Sequence, residues 1–408
     1  MDTRISSINS FKGYDARPLR GFLMSTNNCG IATEMRSIAD REGFKIFSMV
    51  KHGADKPFCS TLKIPGENVS RSMWAQDLWT IYNGKIFTEK FDEMAETIGS
   101  FFRLKPDFTE NIARKSDKYT KLCNRLHALC SDRSNPSRVF DIADVNWDMT
   151  KFYHSTHIQG GNIYMVKGDK GDEIIIGENE LKKFSLDEIG GMYNVEKITV
   201  LPQMDYHLDL FIRPLDNKRI LLADDNMMLD VFKKIRTKAE ELKSLKGMSV
   251  RNSVSRMHRS MLASMGRNNF AKTEEVEKIL VDAGYDVIRV PGRIYSVNID
   301  EIDNSQNLSC TCNYLNANVL KNKNGDIVYI TNKSDVDRSI GLNDKTLKKI
   351  NYCIEQAFID IISKYVDPKH IYFVSGKDNY IADKMLPVLY GGIHCTCSEV
   401  PFNKETGV

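Results

Sequence analysis

Short apolar segments of strand length alternate with helical runs along the chain, and a strand–helix–hairpin theme recurs about five times at very low internal similarity. That recurrence limits the fold more than any other feature. Residues 20–25 and 44–50 read as strands around a helix at 31–41 that follows Asn27 and Asn28. Residues 79–87 read as a hairpin turning at Asn83-Gly84, a favoured two-residue turn. A second hairpin spans 157–177 and turns at Lys167-Gly168-Asp169-Lys170-Gly171-Asp172, a stretch without the spacing of a calcium loop. Strands at 197–201, 206–213 and 219–223 follow, then 285–290, 314–320 and 326–331, the last two joined across Lys323-Asn324-Gly325. A helix at 343–364 and a strand at 370–375 lead to the C-terminal segment. Strand pairs linked by helices make the class α/β, because each sheet has to bury a face under helices.

The reading is of a single unit over residues 1–408, with possible helical insertions at 88–130, broken near Pro106, and at 226–284, where the last helix ends at Gly284. Asp15-Ala16-Arg17-Pro18 reads as an exposed turn. Apolar residues make up 41% of the chain and charged residues 27%, enough for a sizeable core. A net charge of +3 is too small to argue for nucleic acid or an acidic membrane surface. The basic run around Lys233, Lys234 and Arg236 is diluted by Asp230, Glu240 and Glu241 and reads as a solvated face. No stretch of eighteen apolar residues is present, so no membrane partner is expected. Nine cysteines without framework spacing, and an N-terminus without an apolar signal run, point to a cytoplasmic protein, or to one exported without a cleavable signal peptide.

The chemistry concentrates in three places. Tyr390-Gly391-Gly392-Ile393-His394-Cys395 sets a candidate nucleophile, Cys395, after two glycines that let the backbone turn tightly or approach a ligand. His207-x-Asp209 sits in the segment read as strand 206–213, where alternate side chains share a face; Arg213 falls on that face too, as a carboxylate anchor or a surface ion pair. Trp74 and Asp77 precede the first hairpin. By the same alternation His394 is expected to point away from Cys395, and Cys397 to share its face as a possible reversible disulfide partner. Cys310-x-Cys312 with Cys395-x-Cys397 forms a weak zinc pattern, tighter than usual ligand spacing, and it leaves His207, Asp209 and Asp77 unexplained.

Asp77, then His207-x-Asp209, then a Gly-rich turn before Cys395 resembles the guanidino-group-modifying enzyme superfamily, the deiminases and amidinotransferases. The resemblance implies a five-bladed α/β propeller (pentein) with pseudo-fivefold symmetry whose motifs converge at the axis. It implies that Asp77 and Asp209 grip a guanidinium, that Cys395 attacks its carbon, and that His207 moves protons, with no metal or cofactor required. Trp74, Asn162 in Gly160-Gly161-Asn162, Arg213, and Asn313 in Cys312-Asn313-Tyr314 are candidates for substrate binding. Gln159 and Asn162 are neutral where members acting on free arginine often carry an acid. Trp74 and Gln76 before Asp77 further resemble the protein-arginine deiminases. An arginine-containing protein or peptide is therefore the expected substrate, ahead of a small guanidino compound. Transfer of the amidino group to an amine, and a non-catalytic binding module on the same fold, are the alternatives. Calcium dependence is not expected, because acidic clusters matching the added sites of vertebrate protein deiminases are missing.

Overall fold

In the computed structural model the alternation resolves, among the described residues, into six sheets, five of them on one plan. The structure describes residues 12–15, 17, 19–24, 29–48, 76, 79–82, 85–88, 152–153, 158–168, 171–241, 267–294, 310–336, 344–386 and 391–401. Of the stretches expected as helical insertions, 88–130 lies outside the described residues apart from Thr88.

Taken in chain order, β1 (Lys12–Gly13) is a short edge strand. β2 (Leu19–Met24) passes through α1 (Cys29–Glu42) to β3 (Lys45–Ser48), which pairs parallel to it. β4 (Trp79–Tyr82) and β5 (Lys85–Thr88) form an antiparallel hairpin, and β6 (Phe152–Tyr153) pairs parallel to β5. β7 (Ile163–Gly168) and β8 (Gly171–Gly177) repeat the hairpin, followed by α2 (Leu186–Tyr193) and the parallel strand β9 (Lys197–Leu201). β10 (Ile212–Pro214) and β11 (Arg219–Ala223) are antiparallel; α3 (Asp225–Glu241) and α4 (Arg267–Asp282) then return the chain to β12 (Asp286–Val290), parallel to β11. The 226–284 stretch therefore supplies this crossover.

β13 (Arg293–Ile294), β14 (Cys310–Asn313) and, later, β17 (Asp335–Val336) form the small sixth sheet. β15 (Asn318–Lys321) and β16 (Ile327–Asn332) are antiparallel, α5 (Asp344–Ile362) crosses over, and β18 (Ile371–Val374) lies parallel to β16, with β1 on the β15 edge. Finally β19 (Cys397–Pro401) runs antiparallel to β2, so the C-terminal strand completes the N-terminal sheet.

Local sequence explains the elements. Ile174, Ile175 and Ile176 of β8 are all buried, as expected of a central strand covered on both faces. α2 starts with a capping box, Ser185 Oγ accepting from the Glu188 N–H and Glu188 Oε2 accepting from the Ser185 N–H at 2.7 Å, and stops at left-handed Asn194. Among the described residues the buried apolar side chains form three main clusters. One lies around α3, α5 and the sheets of β11 and β16 (Phe232, Tyr314, Phe358), one beneath α1 (Phe22, Met35, Val374), and one under α2 (Ile163, Ile176, Ile189).

Three expectations need correction. Asp15 is buried, not exposed, and is paired with Arg17, whose contacts reach Met165 Sδ at 3.3 Å. The segment expected as one strand from 206 to 213 is extended only at His207, turns through a 3-10 helix at Leu208–Leu210, and becomes a strand at Ile212. The strand expected at 314–320 begins at Asn318, because the Asn313 side chain accepts the Leu315 and Asn316 N–H groups and bends residues 313–316 into a turn. Among the described residues no helix is long and apolar enough to cross a membrane.

Candidate active site

Each of the five like sheets is entered by a segment carrying polar side chains: Gln76 ahead of β4, residues 158–162 ahead of β7, 207–210 ahead of β10, 313–317 ahead of β15 and 391–396 ahead of β19. These segments touch one another. The Gln76 N–H donates to the Cys395 carbonyl at 3.2 Å. The Leu208 N–H donates to Asn162 Oδ1 at 3.3 Å, and Asn313 Nδ2 donates to the Leu210 carbonyl at 2.9 Å. Residues 393–396 form a turn held by Thr396 Oγ1 donating to the Ile393 carbonyl and by the Cys397 N–H donating to the His394 carbonyl. Gly392 is needed there, since a Cβ would lie 2.5–2.6 Å from the side chains of Asn332 and Asn316. The close approach expected of this glycine is to two asparagine amides.

Cys395 is buried, with Sγ 3.7 Å from Asp209 Oδ2. Asn316 Nδ2 donates to both, at 3.1 Å to the sulfur and 2.9 Å to the carboxylate, and an N–H aimed at sulfur favours its anionic form. Asp209 is wholly buried, and Oδ2 also lies 2.8 Å from His394 Nδ1. The His207 ring packs against Gly161, where a Cβ would meet its Nδ1 at 2.4 Å and Asp209 Oδ1 at 3.2 Å. His207 Nε2 donates to Gln159 Oε1 at 2.7 Å, which leaves Nδ1 as the basic nitrogen. Burial, then the nearby Lys183 charge, lowers the His207 pKa to about 3, so the ring is neutral.

Of the residues singled out from sequence, Cys395, His207 and Asp209 come together, though the last two do so through a turn and not through strand alternation. Asp77 and Trp74 lie outside the described residues. Asn162 is occupied internally: Nδ2 donates to Glu180 Oε1 at 2.7 Å, while Oδ1 accepts from Gln203 Nε2 and the Leu208 N–H. Asn313 likewise shapes the turn that presents Asn316. Arg213 is not a surface ion pair. It is 1% exposed, its guanidinium lies 5.4 and 5.3 Å from the ring centres of Tyr14 and Tyr164, and Nη1 is 2.7 Å from His394 Nε2.

His394 is a correction as well. It points inward beside Cys395 because β19 starts only at Cys397; before that the chain turns. Burial first, then the Arg213 charge, and His207 only where it is itself protonated, holds its pKa well below the ordinary histidine value. Asn316 was not singled out from sequence at all. Its signal is the run Asn313-x-x-Asn316-x-Asn318 amid apolar residues, since buried amides require partners. Cys397 packs in the cluster beneath α1, and burial lifts its thiol to about 11, which disfavours the expected disulfide exchange with Cys395. Cys312 packs in a different cluster, beside Tyr314, and the side chain of Cys310 lies outside the described residues. Among the described residues no group of three or more His, Cys, Asp or Glu side chains is placed to hold a metal ion.

No protein-family model matches the chain, and no curated protein matches it in sequence. Among the solved structures similar to it are two deiminases. C. jejuni agmatine deiminase has a TM-score of 0.40 at 12% identity, covering 81% of this chain and 73% of the other. A protein described as a "putative peptidyl-arginine deiminase" has a TM-score of 0.44 at 12% identity, covering 96% of this chain and 98% of the other. With TM-scores below 0.5 neither likeness carries weight, and the function proposed below stands on the chain's own residues.

Proposed function

We propose that the chain is a cysteine-dependent deiminase that hydrolyses a guanidinium to a ureido group and ammonia, on a five-bladed α/β propeller of pseudo-fivefold symmetry. One observation carries the chemistry: Cys395 Sγ lies 3.7 Å from the buried Asp209 carboxylate, and that carboxylate and the neutral His207 ring pack against the same glycine, Gly161. A carboxylate buried against a thiol suits a cationic substrate carbon held in front of the sulfur. The propeller is supported by five sheets of like strand order, by β19 completing the N-terminal sheet, and by five entering segments in mutual contact.

His207 starts as a base. It takes the Cys395 proton as the sulfur bonds to the guanidinium carbon, then passes that proton to the departing nitrogen, which leaves as ammonia. The planar cation left on sulfur is a thiouronium. Water adds to its carbon while His207 takes a proton; the C–S bond breaks, the thiol is restored, and the proton left over converts ammonia to ammonium. Asp209 holds the substrate N–H groups, and Asp77 is proposed as its partner in that grip. Asn162 and Asn313 would serve by fixing the segments that carry His207, Asp209 and Asn316. Arginine within a protein or peptide is the favoured substrate class. Its support is the neutral character of Gln159 and Asn162, both engaged within the protein.

Incubation with free arginine, agmatine and an arginine-containing protein, reading ammonia and ureido product together, tests the proposal. Equal yields of the two from at least one compound, largest for the protein, are expected, with none from Cys395→Ala. Ammonia release by Cys395→Ala at the wild-type rate would refute the nucleophile.

A further inference from the structure

Arg213 makes a contact that has chemical consequences one residue further on. A guanidinium has only N–H groups to offer, so at 2.7 Å from Arg213 Nη1 the His394 Nε2 is an acceptor. The single proton of the neutral ring is then on Nδ1, and it is donated to Asp209 Oδ2 at 2.8 Å. We propose that Arg213 is a positioning residue for the reaction: acting through His394, it fixes the Nδ1–H tautomer and keeps the ring neutral, so that Asp209 faces Cys395 in one orientation with its negative charge undiminished. Its part in turnover rests on the deiminase reading above; the tautomer does not.

The geometry leaves Arg213 little freedom. Tyr14 and Tyr164 flank the guanidinium, and both are themselves tied down, Tyr14 Oη donating to the Met165 carbonyl at 2.8 Å and Tyr164 Oη to the Ile212 carbonyl at 3.2 Å. Among the described residues Arg213 has no carboxylate within ion-pair distance. The Glu399 charge acts on it from beyond that distance, and a cation buried out of water costs folding energy unless it is closely paired.

What the cation does for the site follows from electrostatics. A histidine in contact with a buried carboxylate ordinarily gains a proton and forms an imidazolium–carboxylate pair. Here that would neutralise Asp209 before a cationic substrate arrived. With Arg213 on the far side, a proton on Nε2 would face an N–H group and a positive charge. Among the described residues the titratable or charged groups around the ring are Asp209, Arg213, His207, Tyr164 and the adjoining Cys395 thiol. The Tyr164 ring stacks on it at 6.3 Å, and Asn316 Oδ1 accepts the His394 N–H at 3.0 Å; the Gln76 amide nitrogen lies 2.9 Å from Nδ1 and 3.2 Å from Nε2 while Gln76 Oε1 has no partner among the described residues, so turning that amide over pairs its oxygen with the Nδ1 proton.

The test is a nitrogen-15 spectrum of the full chain labelled at histidine, with the His394 signals assigned by their loss in His394→Asn. The wild type is expected to show Nδ1 protonated and Nε2 bare from neutral to mildly acidic pH. Arg213→Met is expected to give mixed tautomers or an imidazolium at mildly acidic pH, while Arg213→Lys, which still donates to Nε2, keeps the wild-type pattern. In turnover, Arg213→Met should lose roughly tenfold or more, with Lys recovering part of it. His394→Asn, whose amide can still donate to Asp209, should outperform His394→Leu. A wild-type spectrum with Nε2 protonated overturns the proposal, and so does an unchanged pattern in Arg213→Met. If Arg213→Met does not fold, the wild-type and Arg213→Lys spectra still decide. Absence of turnover of every guanidino compound by the wild type would overturn the deiminase reading, and with it the role in turnover, while the spectrum still decides the tautomer.

Discussion

A methyl group at position 161 would sit 2.4 Å from His207 Nδ1 and 3.2 Å from Asp209 Oδ1, so the backbone can come this near the two side chains only as glycine. Gly161→Ala must displace the imidazole or the carboxylate, and a misplacement of about 1 Å at reacting groups costs about a hundredfold in rate. The expected outcome is a loss of that order in kcat, with thermal stability changed much less. The neutral state of His207 has a measurable consequence too. Its pKa falls from 6.5 to about 3 on folding, so between those values the unfolded chain binds a proton that the folded chain refuses. The stability held above pH 6.5 is lost as pH falls through that window, and His394 acts in the same direction. Each such histidine contributes at most about 1.4 kcal/mol per pH unit. Urea midpoints taken from about pH 7 down to about pH 4.5 should fall, and His207→Gln should flatten the dependence; an identical slope in the variant would contradict the burial argument.

At the scale of elements, turns do more of the positioning than strands. Asn313 bends residues 313–316, Gly392 lets residues 391–396 pass between two asparagines, and a 3-10 turn brings Asp209 toward Cys395. This is where the sequence reading stopped short. The pairing of Cys395 with the His207-x-Asp209 segment was legible, and so were most strands and helices, because apolar periodicity reports burial directly. Strand alternation, extended too far into the entering segments, turned His394 outward and hid Asn316. The side-chain hydrogen bonds that end those strands are long-range and leave no periodic trace. Likewise Asp15, in a turn as expected, looked exposed, since its burial depends on strands far away in sequence. A further test lies in α1. Glu34 accepts from the Ser375 N–H at 3.0 Å, the Ser375 hydroxyl at 3.1 Å and the Gly376 N–H at 2.9 Å, fastening the loop after β18 to the helix. Glu34→Ala should cost about 1.5–3 kcal/mol, seen as a Tm lowered by a few degrees.

At the scale of the whole molecule, no single sheet owns the site. Cys395 comes from the segment ahead of β19, Asp209 and His207 from that ahead of β10, Asn316 from that ahead of β15, and Gln159 from that ahead of β7. Cys395, the proposed nucleophile, stands two residues before the first residue of the strand that pairs the C-terminal segment with β2, Cys397 opposite Met24. Local assembly of one sheet cannot produce the cluster, so activity and global folding should be lost together on denaturation.

The central claim is a bond between Cys395 and a guanidinium carbon. Its most direct test is the intact mass of the protein, quenched in acid during turnover of a guanidino substrate and followed by peptide mapping. A mass increment equal to the substrate less ammonia, located on Cys395 and missing in Cys395→Ala, is the expected result. Ammonia and ureido product released at steady rate with the increment on another residue, or with Cys395→Ala equally active, would contradict it.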